Sequence, residues 1–455
     1  MTTRPENIQE QPRAFSLDLG IEHAYGGARR AFGLPVSSLL RHVFVIGQTG
    51  VGKTTFLMNL MTQLIGAGHG VGFLDPHGTA ARELLDYIPP RRSRGVVYFD
   101  PADTSGIGRP IGLNPLDGVR LEDHHLTASA IGEAIRALHA DSWGDRLDWI
   151  LYNALRALLY TPRTTVLDVP RLLVDEGFRA RIVARIQDTA VRSFWLDEFE
   201  AYDRAFRTIA VAPVQNKVGK LRAHPPLRAI LGQEQSRVDL GHVLDRGQLL
   251  VANLAGIGEG SANLLGSLLL SSLLGAAMRR DPASRHSADG PQTDDGQGAL
   301  RPFTLVLDEA HRFTTESISS VLSEARKYGL GIVLADQFLD QLTEPTRQAV
   351  FGNAATLVVF RVGAGDTTTL AVQLGSDVTP RLLADLDPFQ AVVRSVARRE
   401  AIGPLKITTL PFEKRRYGRR EVIEQESARR FGRKPSSSQI SDVRYSEGGY
   451  TGGSF

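Results

Sequence analysis

The sequence contains no cysteine, which excludes disulfide bonds, thiolate metal ligands and cysteine nucleophiles and is compatible with a reducing compartment. Aromatic residues make up only 7% of its 455 residues. No apolar run reaches the roughly 20 residues that cross a bilayer. The longest such run, 262–278, is interrupted by three serines and two glycines, so we expect a buried core helix there.

The chain also has little net charge. Its 53 Lys and Arg residues nearly balance its 50 Asp and Glu residues, and the formal net charge of +3 does not by itself indicate a nucleic-acid partner. The histidines are scattered without the spacing of metal ligands, so no separate metal site is predicted. A hydrophobic content of 42% is enough for a sizeable core in two or three domains.

A phosphate-binding loop is present near the N-terminus. Residues 47–54 read GQTGVGKT and fit the pattern G-x-x-x-x-G-K-[ST]. An apolar strand precedes the loop and a helical stripe follows it, which is the context that this motif requires. Lys53 would contact the β- and γ-phosphates, and the Thr54 hydroxyl would bind Mg²⁺. The predicted nucleotide contacts are Gly47, Gln48, Thr49, Gly50, Val51, Gly52, Lys53, Thr54 and Thr55.

The order of strand and helix patterns predicts the domain organisation. Short apolar strands alternate with helices, give way to purely helical patterns, and then return, which indicates one α/β nucleotide-binding sheet with an inserted all-helical domain. The predicted divisions are a disordered segment 1–13, the first part of the nucleotide-binding domain 14–119, the helical domain 120–240, the second part 241–410 with a mobile loop 281–301, and a basic, then Ser/Gly-rich tail 411–455.

An acidic pair and a glutamine are expected at the same sheet edge. Asp308 and Glu309 follow the apolar strand FTLVL, and the carboxyl ends of parallel strands are where ligands bind. Asp308 would hold Mg²⁺ through water, and Glu309 would polarise the attacking water. Gln337 follows the next strand and is either a sensor of the γ-phosphate or a solvated turn residue. Asp75 ends an earlier strand and either contacts the loop or the metal, or opens an ordinary turn.

Several motifs occur in a fixed order: GQTGVGKT, FLDPHG, LVLDEAHRF, SEARKYGL and ADQFLDQL. Over roughly 19–410 the sequence resembles the HerA/FtsK superfamily of ring-forming DNA-pumping ATPases. Within that superfamily it is most similar to the TraG-like coupling ATPases of conjugation and type IV secretion. The resemblance implies a P-loop NTPase fold with a RecA-like, mostly parallel sheet, and ATP and Mg²⁺ as cofactors. It also implies a homo-hexamer around a DNA channel, with ATP at the subunit interfaces.

The resemblance also assigns roles to individual residues. It makes Arg326 an arginine finger acting on the neighbouring subunit's ATP, where the spacing alone favours an exposed helix arginine. It makes Gln337 the sensor, and it places Arg361, in VVFRVG, near the nucleotide. His311 stands where many relatives have an aromatic or small residue, and we interpret it as a hydrogen-bonded histidine of no catalytic weight.

Three functions stay open at this point. The first is a coupling ATPase that moves DNA by sequence-independent backbone contacts, with a relaxase or a secretion-channel or membrane subunit as partner. The second is a HerA-like translocase acting with a nuclease, and the third is a nucleotide-gated scaffold. Membrane-anchored coupling proteins carry N-terminal transmembrane helices and no such pattern or export signal is seen here, so we expect a cytoplasmic protein, or one held peripherally at the inner membrane by partners. The basic tail either binds DNA or forms a solvated helix face.

Overall fold

The computed structural model describes residues 16–23, 29–102, 109–280, 300–314, 318–397, 400–412 and 414–433. The predicted disordered segment 1–13 lies outside the described residues. So do residues 281–299 of the predicted loop and residues 434–455 of the tail.

An eleven-stranded sheet forms the centre of the fold, in the order β2-β1-β11-β10-β9-β3-β8-β7-β4-β6-β5. The strands are β1 (Ser16–His23), β2 (Arg29–Pro35), β3 (Val43–Ile46), β4 (Gly70–Asp75), β5 (Val96–Phe99), β6 (Leu249–Asn253), β7 (Phe303–Asp308), β8 (Leu330–Asp336), β9 (Thr356–Val359), β10 (Gln390–Ala397) and β11 (Glu400–Thr409).

The sheet has a parallel and an antiparallel part. The seven strands from β9 to β5 in the sheet order are parallel. Their residues are buried along their whole lengths, as expected for strands covered by helices on both faces. The remaining four strands, β10, β11, β1 and β2, are joined by antiparallel pairing. The predicted α/β class with a mostly parallel sheet is confirmed.

Eighteen α-helices lie within the described residues. They are α1 (Val36–Leu39), α2 (Lys53–Gly66), α3 (Thr79–Asp86), α4 (Pro90–Ser93), α5 (His124–Ala137), α6 (Asp145–Leu159), α7 (Val169–Val174), α8 (Glu176–Val183), α9 (Thr189–Ser193), α10 (Arg204–Ala223), α11 (Pro225–Leu231), α12 (Leu240–Arg246), α13 (Glu259–Met278), α14 (Ile318–Glu324), α15 (Glu344–Asn353), α16 (Ala364–Leu374), α17 (Pro380–Ala384) and α18 (Arg420–Phe431).

Helices α5 to α12 connect two neighbouring strands, since the chain leaves the sheet after β5 and returns in β6, which pairs with β5. These helices bury an apolar interior in which Trp195 and Phe199 are among the largest fully buried side chains. The inserted helices are therefore anchored at one edge of the sheet, away from β3. The boundaries predicted for the helical domain remain a prediction.

Helix α13 is the one described helix whose length and composition would allow it to cross a membrane. Most of its apolar residues are buried within the protein, and it packs against α5 and α12. Gly266 of this helix leaves room for the ring of Phe313. In this structure α13 is a core helix.

The basic segment that follows β11 packs onto the domain. The buried Asp86 accepts hydrogen bonds from Arg416 and Arg420, each at 2.7 Å. On α18, Ile423 is buried, and Ser427 Oγ accepts the backbone N–H of Tyr98 at 2.8 Å. Two arginines of the basic tail therefore hold this segment against α3, and Ser427 holds it against β5.

Candidate nucleotide site

The phosphate-binding loop lies between β3 and α2. Gly50 and Gly52 have left-handed backbone angles, with φ of 79° and 109°. Glycine adopts such angles without the steric penalty that a Cβ would bring. Helix α2 begins at Lys53, so its first backbone N–H groups and the positive end of its dipole face the loop. This arrangement suits an anion such as a triphosphate.

Lys53 places a buried positive charge inside the loop. Its side chain is largely buried, and Nζ donates to the carbonyl oxygens of Gly47 and Gln48, the latter at 3.0 Å. Burial lowers the pKa of Lys53, while the nearby carboxylates of Glu309 and Asp308 act to raise it. Thr54, the next residue, is exposed at the helix start. Both residues lie in the first turn of α2, and their contacts with phosphate and Mg²⁺ remain predictions.

The acidic pair is buried at the end of β7. Asp308 is only 8% exposed and Glu309 only 6%. Burial raises the pKa of Asp308 to about 7, and the negative charges of Asp75 and Glu309 add to the effect, while Lys53 opposes it. Glu309 has a φ of 51°, an unusual left-handed angle for a residue with a side chain. Strained residues of this kind cluster at functional sites.

The oxygen groups at this edge fit a magnesium ion. Carboxylate and hydroxyl oxygens are ligands that Mg²⁺ prefers, and a cation would relieve the crowding of negative charge around Asp308. Among the described residues no cluster of three or more His, Asp and Glu side chains forms a complete metal site. In nucleotide sites Mg²⁺ commonly takes one or two protein ligands and completes its shell with water and phosphate oxygens.

Gln337 links the loop to the acidic pair. Strand β8 lies between β3 and β7, so the residue that follows β8 sits between the two motifs. The Gln337 Nε2 donates to Glu309 Oε1, and the Gln337 Oε1 accepts from the Thr49 hydroxyl at 2.8 Å. Its backbone N–H donates to Gln341 Oε1 at 3.0 Å. The side chain of Gln337 is therefore hydrogen-bonded to both motifs, and its role as a sensor remains a prediction.

Two residues at this edge were not predicted to take part. Asp336, the last residue of β8, is buried and accepts from the His311 backbone N–H at 3.0 Å and contacts His311 Nδ1 at 2.9 Å. Burial raises the pKa of Asp336, although the His311 contacts oppose this. The same Nδ1 lies 3.7 Å from Glu309 Oε2. The strand-end rule that predicted Asp308 applies equally to Asp336.

Two arginines were also predicted to act on the nucleotide. Arg326 is exposed on the short 3-10 turn Ala325–Tyr328, not on a regular helix as predicted, because α14 ends at Glu324. Arg361 follows β9 and is half-buried, and its carbonyl oxygen accepts the N–H of Gln48 at 2.9 Å. Its backbone therefore adjoins the loop. The catalytic roles of both arginines remain predictions.

Asp75 has a structural role in this fold. Its two carboxylate oxygens accept the backbone N–H groups of His77 at 2.8 Å and Ala81 at 2.9 Å, which fixes the start of α3. The carboxylate is buried. It therefore acts on the site through its charge, which helps raise the pKa of Asp308.

Together, the glycine-rich loop, the buried acidic pair and the bridging glutamine at the edge of a mostly parallel sheet define a P-loop NTPase fold. Residues 302–377 match the family model described as the TraM recognition site of TraD and TraG. This segment contains the acidic pair, Arg326, Gln337 and Arg361. A search of curated proteins finds no match to the chain.

Solved structures of coupling proteins share the fold. The unbound bacterial conjugative coupling protein TrwBdeltaN70 superposes with a TM-score of 0.59 at 16% identity, covering 90% of this chain and 91% of that one. The plasmid coupling protein TrwB with ADP and Mg²⁺ gives 0.58 at 15% identity, covering 90% and 97%. VirB4 of Thermoanaerobacter pseudethanolicus gives 0.57 at 13% identity, covering 90% and 99%. The predicted resemblance to TraG-like coupling ATPases is confirmed.

Proposed function

We propose that the protein is an ATP-driven motor of the conjugative coupling type, which hydrolyses ATP and uses the energy to move DNA. The observation that carries this proposal is the chain of contacts from Thr49 through Gln337 to Glu309. It connects the loop that holds the phosphates to the carboxylate that would activate water. A protein that only stored a nucleotide would not need such a connection.

Different residues of the site would bind the phosphates, activate the water molecule and hold the metal ion. The loop N–H groups and Lys53 bind the β- and γ-phosphates and oppose their negative charge. Glu309 orients a water molecule and accepts its proton, and Gln337 holds Glu309 in place. When bound, Mg²⁺ would neutralise charge on the phosphate oxygens, and Thr54 and Asp308 are the residues that would hold it.

The proposal includes a ring of subunits, by the resemblance to coupling ATPases a homo-hexamer. Arg326 is exposed, as a residue must be to contact a neighbouring subunit's nucleotide. An arginine finger supplied in trans stabilises charge in the transition state of phosphoryl transfer. Arg361, beside the loop, would face the same nucleotide. The DNA would be held by its backbone without regard to sequence, and a relaxase or a secretion-channel subunit would supply specificity.

ATP turnover in the presence and absence of DNA tests this function. Single- or double-stranded DNA is expected to stimulate the wild-type enzyme. Glu309→Gln is expected to bind ATP and lose turnover, because the amide cannot accept the proton. Absence of stimulation by either DNA would favour the scaffold function instead.

The trans finger has its own test. Mixing inactive Arg326→Ala protein with inactive Lys53→Ala protein should restore part of the activity, because some interfaces then join an intact Lys53 from one variant to an intact Arg326 from the other. Lys327→Ala is the matched control, since Lys327 is exposed on the same turn. A mixture of the two variants that stays inactive would contradict the shared site.

A further inference from the structure

Phe389 is fixed against the phosphate-binding loop. Its backbone N–H donates to the Val51 carbonyl at 2.8 Å, and its own carbonyl accepts the N–H of Thr409 at 2.8 Å. The Thr409 hydroxyl donates to the same carbonyl at 3.1 Å. A Cβ atom added to Gly52 would lie 2.7 Å from a ring carbon of Phe389, so the ring packs directly on this glycine.

The backbone at Phe389 is strained. Its φ is 66°, in the left-handed region that bulky residues avoid. The four residues 387–390 form a turn closed by a hydrogen bond from Gln390 N–H to Asp387 O at 3.0 Å. With Pro388 at the second position and a positive φ at the third, this is a type II arrangement, whose third position favours glycine. An aromatic residue here therefore suggests a function for the ring.

The ring is also unusually open. Phe389 is 44% exposed, whereas Phe56 and Phe360, which pack together next to the same loop, are almost completely buried. Because the ring packs on Gly52 and its turn is held by Val51 and Thr409, it cannot easily swing away. The site therefore has an apolar surface, fixed in position, beside the loop that would bind the triphosphate.

The strand order places this surface on the side of the loop where a nucleoside is expected. Glu309 and Gln337 follow β7 and β8, on one side of β3. Phe389 precedes β10, which lies beyond β9 on the other side of β3. If the γ-phosphate faces Glu309, the α-phosphate and the nucleoside extend toward β9 and β10.

We propose that the ring of Phe389 is the platform on which the base of a bound nucleoside triphosphate stacks. This inference rests on the proposed ATP site. Every base has a π-face, so stacking adds affinity without selecting one base. The platform therefore holds ATP and GTP alike, and the triphosphate contacts at Lys53 are independent of it.

A comparison of the affinities for ATP and for inorganic tripolyphosphate, each with Mg²⁺, separates the contribution of the base from that of the phosphates. Dissociation constants measured by calorimetry on the full chain should show that Phe389→Ala weakens ATP binding about tenfold, in line with the loss of one stacked base. Binding of tripolyphosphate should change less than about twofold. Phe389→Trp should restore ATP binding, because its indole offers an equivalent face.

Phe338→Ala is the matched control. Phe338 is 42% exposed but follows Gln337 after β8, so its removal should leave both affinities unchanged. An equal loss of ATP and tripolyphosphate binding in Phe389→Ala would mean that the ring only supports the loop, and would overturn the inference. Unchanged ATP binding in Phe389→Ala would also overturn the inference. A selective loss of ATP binding in Phe338→Ala would do the same.

Lys53→Ala distinguishes this inference from the proposed function. It should weaken binding of ATP and tripolyphosphate together, because it removes a phosphate contact. Wild-type protein that binds neither compound would overturn the nucleotide site as well as the platform. Wild-type protein that binds ATP while Phe389→Ala shows no selective loss would overturn the platform alone.

Discussion

Replacing Gln337 with alanine tests the link between the loop and the acidic pair. The change removes the hydrogen bond to Glu309 and the one from Thr49. Thr49 is exposed, so water can replace its lost partner. Glu309 stays buried and loses a donor that holds it in place. We therefore expect the main effect on catalysis rather than on ATP binding.

The size of the effect follows from the charge on Glu309. A hydrogen bond to a charged group contributes about 1.5–3 kcal/mol, and each 1.4 kcal/mol corresponds to about a factor of ten in rate. Gln337→Ala should therefore lower kcat roughly 10- to 100-fold. The KM for ATP should change less than about twofold, because Lys53, Thr54 and the loop backbone are untouched.

Steady-state ATP hydrolysis at saturating DNA measures both quantities. Gln348→Ala is the control, since the side chain of this exposed-face glutamine donates a surface hydrogen bond to Glu344 on α15 at 2.8 Å, and its loss should leave kcat unchanged. A Gln337→Ala enzyme with nearly full kcat would refute the coupling role of the bridge. A large rise in KM with normal kcat would mean that the glutamine serves binding.

Three further predictions concern stability and packing. The pKa of Asp308 rises from 3.8 to about 7 on folding, so its negative charge opposes folding increasingly from about pH 4 to pH 7. Asp308→Asn should therefore raise the Tm of the nucleotide-free protein at pH 8 and change it little at pH 4. Equal changes of Tm at the two pH values would refute this. Gly266→Ala should cost about 1–3 kcal/mol in chemical denaturation because its methyl group meets Phe313, whereas Gly352→Ala, in an open helix position, should be neutral or stabilising. Asp86→Asn should increase amide exchange in α18 by weakening two ion pairs, and unchanged exchange would contradict that anchoring role.

The strands that carry the site were predictable because each is a continuous apolar run. Strands β3, β7 and β8 are buried on both faces, so apolar residues fill each strand instead of alternating with polar ones. The ends of each apolar run therefore indicate the ends of the strand. The antiparallel part was harder. Strands β1, β2 and β11 mix exposed and buried residues and include glycines and arginines, so their pairing depends on tertiary contacts.

The site was predicted where a motif fixes the spacing and missed where distant segments meet. The loop and the acidic pair each lie within a few residues of a strand end. Phe389 contacts Gly52 although 337 positions separate them in the sequence. A phenylalanine also gives no indication in the sequence that its backbone is left-handed. The contact of His311 with Asp336 also depends on the neighbouring positions of β7 and β8.

The central claim is that ATP cleavage at Glu309 is coupled to DNA. The most direct measurement is the rate of phosphate release by wild-type and Glu309→Gln protein, each with and without DNA. DNA should stimulate phosphate release by the wild type, and the variant should release none although it still binds ATP. Full turnover by Glu309→Gln, or a wild-type rate that no DNA changes, would contradict it.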